Sequence, residues 1–254
     1  MEQNINMNKT TKKNIVFITI MPGEVDTSYK EFCLNTWKYW CEKNNCELFI
    51  LDDPLTNSRY MKPTWQRWYA LDILEMNGVN YDQVAMVDVD TMIRWDAPNF
   101  FELTDRKFSA VVDQDNIGWV KQSIAAYQHL FKDVKLDWTD YFNCGFIVLN
   151  ENHKELCQNI IKFWDDNDGE LQTIQITIQK GTDQTPVNYI VKRDIDVNYL
   201  SKKFNLTHFN RKEIIQDLMF IDCGYIWHFN GFEKSWRHEL MKQTWEKIKG
   251  NYEN

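Results

Sequence analysis

Tyr81-Asp-Gln-Val-Ala-Met-Val-Asp-Val-Asp-Thr-Met-Ile93 is an apolar run that stops on two carboxylates. Gln83 to Val87 reads as a buried strand ending at Asp88-Val89-Asp90. Successive strand residues face opposite ways, so Asp88 and Asp90 share one face. In open α/β sheets, ligands bind beyond the carboxyl ends of the strands. An oxygen-rich pair there suits manganese or magnesium, which bridge phosphates. Taken alone, the pair is a weak signal, because acidic pairs after strands are common and two solvated loop aspartates are the plainer reading.

The neighbouring segments supply a parallel sheet. Asn14-Ile-Val-Phe-Ile-Thr-Ile20 is a short apolar run ending at Met21-Pro-Gly. Tyr29, Phe32, Cys33, Thr36, Trp37 and Trp40 then recur at helical spacing, with Asp26 or Thr27 as cap. Cys46 to Leu51 is a second strand, stopped by Asp52-Asp-Pro54. This is a β-α-β unit. A helix opens at Pro63 and ends at Asn77-Gly78, where the glycine suits a left-handed cap. Downstream, 108–112 and 146–149 are strand candidates, and 151–164 and 183–191 are helix candidates. A strand at 224–228 and a helix at 233–249 follow. The pattern predicts one α/β unit with a mainly parallel central sheet flanked by helices. Residues 1–13 form a flexible tail, 14–110 a nucleotide-binding half and 111–232 an acceptor half.

Composition narrows the function. The 254 residues are 43% hydrophobic with a net charge of -8, which disfavours a nucleic-acid partner. Residues 1–13 contain no apolar core of signal-peptide length, and no run approaches a membrane span. A cytoplasmic location is expected. The six cysteines form no CxxC pair, so free buried thiols are expected rather than zinc ligands or disulfides. The helix at 233–249 carries Trp236, Leu240, Met241, Trp245 and Ile248 beside several lysines and Arg237. Docking on its own domain is favoured over peripheral contact with an anionic membrane.

Further motifs surround the carboxylates. Trp95-Asp-Ala-Pro-Asn-Phe-Phe-Glu-Leu103 follows the strand. Then come Tyr141-Phe-Asn-Cys-Gly-Phe-Ile-Val-Leu-Asn150, Thr182-Asp-Gln-Thr-Pro-Val-Asn188 and His228-Phe-Asn-Gly-Phe-Glu-Lys-Ser-Trp236. In type and order these resemble the DxD, FN(A/S)G, DQxxxN and HxxGxxKPW motifs of glycosyltransferase family 8. Family 34 shares a similar order. The resemblance implies a GT-A (nucleotide-diphospho-sugar transferase) fold. It also implies a metal-dependent, retaining transfer of a hexose from a UDP-sugar to a saccharide or other hydroxyl acceptor.

Residue by residue, the resemblance implies a metal on Asp88, Asp90 and His228, with Val89 part of the donor-binding turn. Lys234 holds the diphosphate, and Gly231 lets the backbone approach it. Asp183 and Gln184 lie beside the transferred sugar as the catalytic pair, and Asn143 contacts that sugar. Arg67 matches a basic residue that contacts donor phosphates. Thr19, ending the first strand, lies near the nucleotide base. Asp113 faces donor or acceptor. Cys144 stands where Ala or Ser is usual and reads as small rather than nucleophilic. The chain departs from the pattern at Thr185, where the family has an acid, and at Ser235, where it has proline. No strongly nucleophilic carboxylate is expected beside Gln184, so same-face attack is the expected route to retention.

Two other readings exist. Val84 to Met92 approximates the first motif of haloacid-dehalogenase-type phosphatases, with Asp88 as nucleophile and Asp165-Asp166 as the late acidic pair. A non-catalytic nucleotide-sugar or glycan binder on the same scaffold is the other.

Overall fold

The computed structural model describes residues 12–20, 28–57, 59–113, 116–178, 183–207, 209 and 211–253. Most of the expected 1–13 tail, the Met21-Pro-Gly turn and the Asp26/Thr27 cap lie outside the described residues. So does Thr182.

Strand β1 (Lys13–Thr19) leads into helix α1 (Ser28–Lys43) and strand β2 (Glu47–Leu51), the β-α-β unit expected. The helix expected from Pro63 is interrupted. It runs as α2 (Pro63–Gln66), a 3-10 turn (Arg67–Tyr69) and α3 (Ala70–Met76). Gly78 follows with φ +68°, the left-handed cap. Then come β3 (Tyr81–Val87), β4 (Thr91–Ile93), β5 (Ser109–Val112), α4 (Ile117–Tyr127) and β6 (Phe142–Asn150). The rest is α5 (Lys154–Ile178), α6 (Gln184–Asp194), β7 (Asn198–Tyr199), α7 (Lys212–Ile215), α8 (Phe220–Cys223), β8 (Ile226–His228) and α9 (Lys234–Ile248).

The six-stranded sheet has the order β2-β1-β3-β6-β5-β7. β1 pairs in parallel with β2 and β3, and β5 with β7. β6 alone is reversed, antiparallel to both β3 and β5. The sheet is therefore mainly parallel, and strands from both expected halves share it. The reversal has a functional result: β6 starts where β3 ends, with Val87 opposite Phe146. Asn143 to Gly145 thus lie beside Asp88. The pairing of β5 with β6 slips between Ala110 and Val111, so the register jumps from Ile147 to Asn143. That slip bulges the same segment.

The strand expected at 224–228 lies outside the main sheet. β8 pairs antiparallel with β4, setting His228 opposite Thr91. Leu206 bridges Trp227 on the other side. Apolar side chains fill both faces of the main sheet. Trp65, Trp68, Leu74 and Trp164 pack on one face, and Trp37, Trp40 and Phe100 on the other. A third cluster joins α1, β8 and α9 through Phe32, Trp227, Leu240 and Met241. Leu240, Met241 and Ile248 of α9 are thus buried on its own domain, whereas Trp236 is exposed. Among the described residues no helix is long and apolar enough to cross a membrane. All six cysteines are free thiols.

Candidate active site

Asp88 follows β3, and its N–H donates to the Gly145 carbonyl at 3.0 Å. Asp90 lies two residues on, where Phe229 N–H donates to its carbonyl at 2.9 Å. Those bonds tie the turn to β6 on one side and to the β8 end on the other. His228 Nε2 consequently lies 3.5 Å from Asp88 Oδ2 and 3.2 Å from Asp90 Oδ1. The imidazole is 2% exposed, whereas Asp88 keeps about a third of its side-chain surface open (32%). One ligand atom from each residue falls within 4.8 Å of the others. Two carboxylate oxygens and an imidazole nitrogen converging from separate elements fit a divalent cation.

The electrostatics agree. Burial opposes a charge on His228, but Asp90 and Asp88 outweigh it and lift the imidazolium to about 10. Burial alone would raise the Asp88 carboxyl; Arg67 and His228 outweigh it and hold it at about 2. The two carboxylates thus favour the charged imidazolium where no cation is bound, and an incoming cation would have to displace its proton. Manganese affinity is expected to rise about tenfold per unit between roughly pH 6 and 8. Calorimetric titration across that range checks this, and a flat profile would remove His228 from the ligand set.

Gly145 packs against this histidine. A Cβ there would lie 2.2 Å from His228 Cε1 and 2.8 Å from Asn143 Oδ1, closer than any real contact. Gly145→Ala is expected to displace the ring and weaken manganese binding by roughly 10–100-fold, the range for a disturbed ligand support. Unchanged affinity in a manganese resonance titration would show that the ring need not stand where it does. Gly231 is a different case. Its φ of +74° demands glycine, while nothing lies within 4 Å of an added Cβ.

Arg67 is neither exposed nor turned to solvent. The 3-10 turn buries it, with its side chain 6% exposed. Its guanidinium bonds the Asp88 carboxylate, the Cys144 carbonyl at 3.0 Å, and Asp183 Oδ2 through Nη2 at 2.9 Å. Burial works against that charge, but Asp183 and Asp88 more than offset it. Asp183 is buried, and its Oδ2 also accepts from Trp68 Nε1 at 3.1 Å. Asp183 makes no side-chain cap to α6. Asp183 thus anchors Arg67 and Trp68, and it also lines the second of the cavities described below.

Gln184 opens α6. Its Oε1 accepts from Cys144 N–H at 3.2 Å, and its Nε2 donates to Asp113 Oδ2 at 3.0 Å. The Asp113 carboxylate thus stands beside Gln184, held by its amide. Asn143 Nδ2 donates to the same oxygen at 3.2 Å. Cys144 is buried, and burial pushes its thiol well up, which disfavours the thiolate. Thr185 is buried and shares a 2.7 Å hydrogen bond with the Tyr141 hydroxyl. That departure from the motif therefore alters the core, not the cavity wall.

Two cavities meet at the carboxylates. One, of about 320 Å³, is lined by Thr19, Tyr29, Arg67, Asp88, Val89, Asp90, Lys234 and Arg237, among others. The Thr19 hydroxyl has no hydrogen-bond partner among the described residues. The second, of about 390 Å³, is lined by Asp88, Asp90, Asp113, Asn143, Gln184 and His228, with Trp119 and Gly231. Asp165 and Asp166 line a different cavity, with Trp68 and Cys157, so the phosphatase constellation does not assemble at Asp88.

Two residues escaped the sequence reading. Arg237 Nη1 donates to Asp90 Oδ2 at 2.9 Å, and its cation lies over the Tyr29 ring at 5.7 Å. It sits one helical turn after Lys234, a spacing that could have signalled a shared face. Asn205 Oδ1 lies 3.0 Å from His228 Nδ1.

No protein-family model matches the sequence, and a comparison with curated proteins gives no match either. Solved structures do match in shape. A glycosyltransferase involved in glycosylation of the major capsid of PBCV-1 superposes with a TM-score of 0.62 at 11% identity, over 91% of this chain and 99% of that one. The apo form of the glycosyltransferase GlyE of Streptococcus pneumoniae TIGR4 superposes with a TM-score of 0.51 at 14% identity. That match covers 96% of this chain but only 63% of GlyE. A second GlyE structure gives a TM-score of 0.51 at 13% identity. At such identities the likeness speaks for architecture, and the architecture is the α/β GT-A type of these glycosyltransferases.

Proposed function

We propose that the protein is a metal-dependent glycosyltransferase of the family 8 kind, moving a hexose from a UDP-sugar to a hydroxyl acceptor with retention of configuration. One observation carries this reading: Asp88, Asp90 and His228 converge on a single point at the junction of two cavities. The first cavity offers cations for a diphosphate, and the second offers carboxylate, amide and indole groups for a sugar.

A divalent cation held by Asp88, Asp90 and His228 would neutralise the donor diphosphate and stabilise the leaving group. Lys234 and Arg237 add positive charge on the same wall and draw the diphosphate into the first cavity. Thr19 and Val89 line the nucleotide side. Asn143, Asp113 and Gln184 orient the sugar, and Trp119 gives it an apolar platform. As the acceptor oxygen bonds the anomeric carbon, the bond to the diphosphate oxygen breaks and the acceptor's hydroxyl proton passes to that leaving oxygen. Same-face attack remains the favoured route, and Asp113 is the carboxylate that a covalent route would use. Asp183 acts through Arg67, which it holds against Asp88.

Arg237 gives a prediction of opposite signs. In the metal-free protein it neutralises Asp90, in competition with an incoming cation. Arg237→Met is expected to bind manganese alone as tightly as wild type or more so. The same change should weaken UDP binding in the presence of manganese by roughly 10–100-fold, the worth of a charged hydrogen bond. Calorimetry of each ligand reads both numbers, and parallel losses would mean simple structural damage.

The overall reading is tested by incubating the protein with UDP-hexoses, manganese and saccharide acceptors, and assigning the product anomer by NMR. A retained linkage supports it, whereas an inverted linkage rejects the family 8 assignment. UDP-sugar binding without turnover of any donor, hydrolysis included, would favour the non-catalytic binder.

A further inference from the structure

His228 has two ring nitrogens, and only one can meet the metal. Which one depends on where the other finds a partner. Nδ1 lies 3.0 Å from Asn205 Oδ1. The assignment of that atom as oxygen follows from its neighbours. Gly145 N–H, a donor only, lies 2.8 Å from the near atom of the Asn143 amide, which must therefore be oxygen. The Asn143 nitrogen then faces Asp113 Oδ2 at 3.2 Å, an acceptor. Asn205 Nδ2 donates to the Asn143 oxygen at 3.1 Å, which turns the Asn205 oxygen to the imidazole. A carboxylate at one end and a backbone N–H at the centre thus set the direction of the whole row.

The backbone holds Asn205 in place. Leu206 N–H donates to the Ile226 carbonyl at 2.8 Å, and His228 N–H donates to the Leu206 carbonyl at 2.9 Å. Asn205 is buried and lines neither cavity, so its amide depends on the Asn143 oxygen and the imidazole as partners.

We infer that Asn205 is the positioning residue of the metal site, fixing the ring so that Nδ1 keeps its hydrogen and Nε2 is the nitrogen presented between Asp88 and Asp90 to a cation. The inference rests on the metal-site reading above and adds a residue to it. Through Asn143 the row reaches Asp113, which also holds Gln184, so the metal ligand and the sugar-side amide share one anchor.

The test uses the whole chain and two measurements. Manganese binding is titrated by calorimetry for wild type and Asn205→Leu, with circular dichroism to establish folding. The variant is expected to lose roughly 10–100-fold in affinity while folding normally. Separately, nitrogen-15 histidine NMR of the wild-type protein loaded with diamagnetic cadmium should show a proton on Nδ1 of His228 and a metal-shifted Nε2. A merely structural asparagine would not determine that pattern. Unchanged manganese affinity in a folded variant overturns the inference alone, as does metal on Nδ1. Should the variant not fold, the wild-type spectrum decides. Failure of the wild type to bind manganese overturns the metal reading and this inference with it.

Discussion

Asp90→Asn is expected to abolish metal-dependent UDP binding, weakening manganese by more than roughly 100-fold and kcat/KM by about 1000-fold, at the upper end for one electrostatic contact to a leaving group. The substitution keeps the shape of the side chain. It removes the charge that faces His228 Nε2 at 3.2 Å and Arg237 Nη1 at 2.9 Å. Asparagine offers a weaker oxygen ligand, and its amide nitrogen would face either the metal or the guanidinium, neither of which accepts a donor. The Phe229 N–H bond to the residue-90 carbonyl is a backbone bond and survives. Calorimetry with UDP, with and without manganese, separates the effects: wild type should bind only with metal, and the variant in neither condition. Wild-type behaviour in the variant would remove the metal from the donor site.

Arg67→Met is expected to destabilise the fold itself by about 3–5 kcal/mol, the usual loss when one member of a buried ion pair is removed. Its guanidinium stands between Asp88 and Asp183, with side chains 6% exposed for Arg67 and 1% for Asp183. Methionine fills similar volume but leaves two carboxylates facing a cavity wall without their cation. For a chain of this size the melting temperature should fall by roughly 6–20 °C, at about 2–4 °C per kcal/mol. Adding Asp183→Leu should recover part of the loss, because the buried charge goes with its partner. A loss below about 1 kcal/mol would mean that solvent already screens the triad. Activity falls in the same variant, so thermal melts and metal titrations must be read together.

The parts of this architecture that could be read from sequence are those with their own local signal. β1 and β3 each carry an apolar run, Ile15–Ile18 and Val84–Val87, and Asp88 follows directly at the carboxyl end of β3. The pairing of β4 with β8 had no such signal, since three-residue strands carry too little periodicity to distinguish a ribbon from a loop. The reversal of β6 is likewise silent, because a strand buried along its whole length reads the same in either direction. Helix α5 was expected to stop near Trp164, where Asp165-Asp-Asn-Asp-Gly169 looks like a break. It continues to Ile178 because Leu171, Ile174 and Ile178 keep its inner face apolar.

Among the site residues, Asp88, Asp90 and His228 were legible as a set only through the motif order, and the fold brings them together. Arg67 stood out in the sequence as a candidate, but its partners Asp88 and Asp183 did not. An ion pair separated by more than a hundred residues leaves no trace in spacing. Arg237 lies one residue beyond the last recognised motif. Asn205 sits in a segment without periodicity, positioned by a bridge that only the folded backbone reveals.

The ribbon of β4 and β8 also bears on how the protein is made. Strands β1 to β3 and both DxD carboxylates leave the ribosome early, whereas β8 and α9 come late in the chain. Until β8 arrives, β4 has no ladder partner among the described strands, and Asp88 and Asp90 have no imidazole between them. Lys234 and Arg237 follow β8 directly. A nascent chain thus places the two carboxylates first and the imidazole between them last, so a half-made copy has no Asp88, Asp90 and His228 cluster.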